Sequence, residues 1–190
     1  MIAAPNRSTV QYPGGLSARY RWAGSGQPES VFALSESGGR LDDHGALVSP
    51  EPDRLCRAEL RIEGPVGTWT ARFASPIFDE PQGLMWDVPS LLIVKYGFLV
   101  YALDARGGEL RWTFASGTPL MSVMGSPRLP HVIAQGEVET AALREDGSVA
   151  WRVAHSDVVV EATLVGGQLV LTSYAGARQT LDPLSGRPTA

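Results

Sequence analysis

From Leu99 to Trp112 apolar and polar positions alternate, with Leu99, Tyr101 and Leu103 on one side, then a glycine pair at Gly107 and Gly108, then "ELRWTF". A period of two predicts a half-buried β-strand, the glycine supplies a positive φ, and the second run pairs back as a hairpin. The same signals predict strands at "GLMWDVP" and "LLIVKYG" ahead of this hairpin. In the following stretch they predict "LMSVMG", "HVIAQG", "VETAAL" and "SVAWRV", and after those "VVVEATLVGG", "QLVLTSY" and "RQTLD". Strands this closely spaced between glycine and proline turns predict an all-β chain.

These hairpins repeat. Gly108, Gly147 and Gly186 stand 39 residues apart, each preceded by a leucine (Leu103, Leu143, Leu181), and Trp112 and Trp151 each follow their glycine by four residues. "LRIEGPVGTWTARF" is a looser copy, with Leu60 nine residues before Trp69 as Leu103 is before Trp112. Four strands per ~40 residues is the period of a propeller blade, and a lone hairpin is marginal in water, so copies must pack face to face. The pattern predicts about four four-stranded blades in a single domain over residues 16–190, with residues 1–15 as an N-terminal arm. "GLSARYRWAG" is expected to supply the tryptophan strand missing from the last copy, closing the ring by pairing the strand around Trp22 with the strand around Leu181. The first blade would then use "SVFALSE", "GALVS", "RAELRI" and "TWTARF". Five blades, with "FALSESGGRL" as another hairpin, or an open propeller fragment are the alternatives.

Composition narrows the chemistry. The 190 residues include 21 Gly and 14 Pro, as a turn-dense fold requires, and the formal net charge is −4 without a basic stripe, so nucleic acid is not an expected partner. The single cysteine, Cys56, excludes an internal disulfide and reads as a buried small hydrophobe. No leader pattern or ~20-residue apolar run is present, so no membrane association and a cytoplasmic location are expected. His44, His131 and His155 are dispersed, and neither HExxH nor CxxC occurs, so no metal site is expected.

The hairpin "VYALDARGGELRWTF" resembles the repeat of the PQQ-like (quinoprotein-type) β-propeller superfamily, in which an aromatic, Ala-Leu-Asp, a glycine turn and a tryptophan recur once per blade. The resemblance is closest over residues 84–190, weaker over 55–83 and suggestive over 16–54. It implies a propeller scaffold. Its quinone-dependent branch implies a vicinal cysteine pair and a Glu/Asn/Asp calcium site, which this chain does not match; no cofactor and no enzymatic activity are therefore expected. The tryptophans are assigned to packing between blades.

In a propeller, the linkers between blades and the turns between second and third strands share one face. That face is expected to gather Asp79, Glu80, Trp86, Asp87, Met121, Tyr96, His155, Asp157 and Tyr174, a mixture of rigid anchors and carboxylates suited to a protein partner with a basic surface. Each also has a structural reading: Trp86 and Met121 as core, Asp79 and Glu80 as solvated loop. His155 next to Asp157 has the composition of a general-base pair, but no nucleophile motif accompanies it. The function expected is a non-enzymatic protein-binding scaffold, in its most specific form a bacterial toxin-neutralising immunity protein. The alternative is a small-molecule or lectin-like carbohydrate site with Trp86, Tyr96 and Tyr174 as stacking platforms.

Overall fold

The computed structural model describes residues 4–26, 31 and 55–189. Among the described residues every regular element of any length is a strand: β1 (Asn6–Tyr12), β2 (Leu16–Ala23), β3 (Cys56–Gly64), β4 (Gly67–Ser75), β5 (Gln82–Trp86), β6 (Leu91–Tyr96), β7 (Leu99–Asp104), β8 (Leu110–Ala115), β9 (Leu120–Met124), β10 (Val132–Gly136), β11 (Glu139–Leu143), β12 (Val149–Ala154), β13 (Val159–Val165), β14 (Gln168–Ser173) and β15 (Arg178–Leu181). They form antiparallel meanders ordered β1-β2-β3-β4, β5-β6-β7-β8, β9-β10-β11-β12 and β13-β14-β15. Among the described residues, three four-stranded blades and one three-stranded blade are the all-β, propeller-type arrangement that the repeat predicts. The chain divides into two compact units, Met1–Thr113 and Phe114–Ala190.

In the first unit the alternation of β3 places Ala58, Leu60 and Ile62 on one face. They pack with Tyr20, Phe73, Leu92, Tyr101 and Leu103 in a core joining the first two sheets. Fully burying each leucine, isoleucine or phenylalanine side chain among them contributes about 1.5–3 kcal/mol. Phe73 meets the Tyr101 ring at 4.8 Å between centroids. Cys56 is buried as expected, and burial raises its thiol pKa. In the second unit, Leu129 and Ile133 pack against Val159, Leu169, Leu171 and Leu181, with Trp151 alongside.

The first blade departs from the sequence reading. Residues 6–12, within the segment expected to be an arm, form β1, and the strand around Trp22 is β2, paired with β1 (Trp22 opposite Asn6) and with β3 (Trp22 opposite Ala58). A strand has two edges, and both edges of β2 are taken, so it does not pair with the strand around Leu181. "SVFALSE", "GALVS" and the "FALSESGGRL" hairpin lie outside the described residues, apart from Val31, and β1 and β2 hold the first two places in the sheet. The outer edge of β15 is met by the residues that follow it. Leu181 bridges Pro188, and the Thr189 amide donates to the Thr180 carbonyl at 2.9 Å.

The repeat positions explain themselves in three dimensions. Trp69 Nε1 donates to the Ala105 carbonyl at 3.2 Å, and a Cβ on Gly108 would stand 2.5 Å from the Trp69 ring. In the second unit Trp151 Nε1 donates to the Pro183 carbonyl at 3.1 Å, with Gly186 equally close to its ring. Glycine is required at these positions twice over, for a left-handed φ (78° and 70°) and for room to seat an indole from the preceding blade. The aspartate of "ALD" caps the same turn. Asp104 Oδ1 accepts from the Arg106 and Gly107 amides, and Asp182 Oδ1 accepts from the Leu184 amide. In "ALRED", Arg144 stands in that place, and Asp146 instead accepts from the Ser148 amide.

Candidate functional site

Antiparallel meanders send linkers and second-to-third-strand turns to one end of each sheet, and the remaining turns to the other. In the first unit the linker end contains residues 76–81 and the turn after Tyr96. Asp79 is the hub: its carboxylate accepts from Lys95 Nζ at 2.7 and 3.0 Å and from the Gly97 amide at 2.7 Å. Lys95 lies on β6, every residue of which is buried, so its charge needs an anion at that depth, and Asp79 provides one. Glu80 remains exposed, and Phe78 beside it is 60% exposed.

Tyr96 also reaches this end but is only 1% exposed, packed near Phe73, and burial drives its phenol pKa far up. Trp86 and Asp87 do not join it. Strand β5 runs across the sheet from the linker, and about 3.3 Å per residue carries Trp86 to the opposite end, where it pairs with Leu91. The shared-face expectation therefore separates: Asp79, Glu80 and Tyr96 lie at one end of the sheet, Trp86 and Asp87 at the other.

In the second unit the linker end holds Met121, His155, Asp157 and Tyr174. Asp157 acts as Asp79 does, at the same separation from its partner turn. Its carboxylate accepts from the Val158 amide at 2.8 Å and, across 18 residues, from the Ala175 amide at 3.0 Å. The Ala175 amide and the Ser173 hydroxyl hold its pKa below the ordinary carboxylate value. The linker is also sewn down through its backbone: His155 N–H to the Val138 carbonyl, Val159 N–H to Glu137 and Tyr174 N–H to Val158, at 2.7–2.8 Å. At the β8–β9 linker the roles reverse. Glu139 on β11 accepts from Ser116 Oγ and the Gly117 amide and pairs with Arg152, whose guanidinium lies 5.3 Å from the Phe114 ring centre.

His155 and Asp157 do not form an oriented pair. Thr140 Oγ1 donates its one proton to Gln135 Oε1 at 2.7 Å, so His155 Nε2, 2.7 Å from the same hydroxyl, is the protonated nitrogen and donates to it. Burial lowers the His155 pKa, with Gln179 opposing, which favours the neutral imidazole. This Gln135–Thr140–His155 chain, like Lys95 and Glu139, was not singled out by the sequence reading. Among the described residues no group of three His, Cys, Asp or Glu side chains is placed to hold a metal ion.

Tyr96, Gln135 and Tyr174 stand 39 residues apart, at the last residue of β6, the next-to-last of β10 and the residue that follows β14. The first two are buried, whereas Tyr174 is 81% exposed, and Val158 and Val160 beside its strand pair are exposed as well.

A family model described as outer membrane protein assembly factor BamB matches residues 97–189. Among solved structures, dihydro-heme d1 dehydrogenase NirN in complex with DHE is similar at a TM-score of 0.54, with 14% identity over 77% of this chain and 36% of that one. The computationally designed Ika8 protein is similar at 0.51, with 8% identity over 70% and 45%. BamB from Moraxella catarrhalis is similar at 0.49, with 18% identity over 68% and 42%. The chain thus spans less than half the length of these structures, and the likeness concerns the fold. No curated protein sequence matches it.

Proposed function

Starting from a chain whose residues 97–189 match the model of a β-propeller repeat family, we propose that it is a non-enzymatic scaffold that binds another protein. The observation carrying this reading is Tyr174. Where the second blade buries Tyr96 next to the turn that Asp79 holds, the last blade exposes an aromatic ring on a turn held in place by Asp157 and the 155–159 backbone. A rigid aromatic anchor with apolar neighbours contributes contact area at small entropic cost, which is how interface hot spots are built. The matched family description, an assembly factor, supports the same reading. A lectin-like site gains no comparable support: Trp86 and Tyr96 lie at opposite ends of their sheet, and Tyr96 is enclosed.

The net charge of −4 favours a partner with a basic surface. In its narrowest form the proposal makes that partner a bacterial toxin which the chain neutralises. Affinity capture with tagged chain from its own cells is expected to recover a stoichiometric protein, with Tyr174→Ala reducing recovery at least tenfold. The narrow form requires that the captured protein arrest growth alone and not when co-expressed with this chain. Absence of a stoichiometric partner, or full recovery by the variant, refutes the scaffold role assigned to Tyr174.

A further inference from the structure

The opposite end of the second unit contains a feature that the repeat does not require. The turns between first and second strands span three residues after β1, four after β5 and two after β13, but seven after β9, residues 125–131. This longer loop, the β13–β14 turn and the turn after β15 enclose a half-open cavity of about 460 Å³, in the range of small-molecule sites. Leu129, Leu164 and Leu184 give it apolar walls. Gly166 and Gly167 line another side, and an added Cβ at either would meet nothing within 4 Å.

Two charged side chains line the cavity, Arg128 and Asp182. Arg128 is exposed and forms no ion pair with any described residue, Asp182 included. Asp182 is a fixed anion: the Ser185 hydroxyl at 2.6 Å and the Leu184 amide at 3.0 Å hold its carboxyl below the ordinary range, and each oxygen retains a lone pair for a further donor. A dianion such as phosphate would meet one cation and one anion. A ligand carrying both charges satisfies each of them.

We propose that this cavity binds a zwitterion with an apolar side chain, an apolar α-amino acid or a short peptide of such residues. Its carboxylate pairs with the planar guanidinium of Arg128, its ammonium faces Asp182, and its side chain lies on the leucines. The site is at the other end of the strands from Tyr174, so it stands or falls separately from the scaffold reading.

The test is titration of the full chain by calorimetry and ligand-observed NMR with leucine, phenylalanine, Leu-Leu, N-acetyl-leucine and leucinamide. Saturable binding is expected for leucine, phenylalanine or Leu-Leu, the stronger of the amino acid and dipeptide arms identifying the source. N-acetylation, amidation and Arg128→Gln should each weaken it about tenfold, the worth of one charge-assisted hydrogen bond. Leu184→Trp, at a half-exposed wall position, should abolish it while leaving the circular dichroism and Tm unchanged. No saturable binding by any zwitterion, equal binding by the blocked forms, or retention of binding in Arg128→Gln overturns the proposal.

Discussion

Gly108 and Trp69 show how one residue pair fixes the distance between neighbouring blades. Alanine at Gly108 would hold a φ of 78° and press a methyl to 2.5 Å from the indole, so Gly108→Ala is expected to cost about 2–3 kcal/mol in urea denaturation. Trp69→Phe keeps most of the apolar area but removes the donor to the Ala105 carbonyl, and should cost about 1–2 kcal/mol. His155 sits four residues after Trp151, where the first blade has Phe73 four after Trp69. Burial lowers its pKa below the ordinary 6.5, so the unfolded chain binds a proton more readily than the folded one. Stability should therefore be fully present above pH 7 and fall as pH drops through 6.5 toward the folded value. His155→Gln keeps a donor for Thr140 and removes the titration; its stability should vary less between pH 7 and 5.5 than that of the parent, measured by chemical denaturation.

At the scale of elements, the linkers owe their fixed geometry to single acids. Asp79→Asn removes the carboxylate that pairs with Lys95, 6% exposed, and should cost about 3 kcal/mol. Adding Lys95→Met should recover most of that loss, because an apolar residue at this depth needs no partner; failure of the double variant to recover would mean that Asp79 acts mainly through the Gly97 amide. The strands of the second to fourth blades were legible in the sequence because period-two alternation between glycine turns has one reading, and the 39-residue spacing repeated it. Lys95 was not: in "LLIVKYG" a lysine normally marks the solvent side, and only its neighbours in space show that it is inside. Asp79 read as a solvated loop acid for the same reason. Trp86 was assigned to the wrong end because the linker was read as running through to Asp87, although Pro81 marks the point where β5 begins and the strand carries Trp86 away from it.

For the chain as a whole, the tryptophan spacing suggested a ring sealed by its N-terminal strand, yet that strand is consumed in the first blade. The spacing constrains where a strand falls in sequence and not which edge it meets. Deleting residues 1–24 should therefore remove Ala18, Tyr20 and Trp22 from the first unit's core and strip hydrogen-exchange protection from β3 and β4. Protection in β14 and β15 should persist, since their ladder is made with each other and with the residues that follow; its loss would show that the N-terminal strand does seal the last blade.

The Leu181–Pro188 bridge has a consequence for association. A strand edge polymerises when each added chain offers a fresh row of donors to the next, and proline offers none. By laying Pro188 against Leu181, the last blade meets the end of β15 with a residue that cannot pass the ladder on, so this part of the strand is a poor template for fibrils.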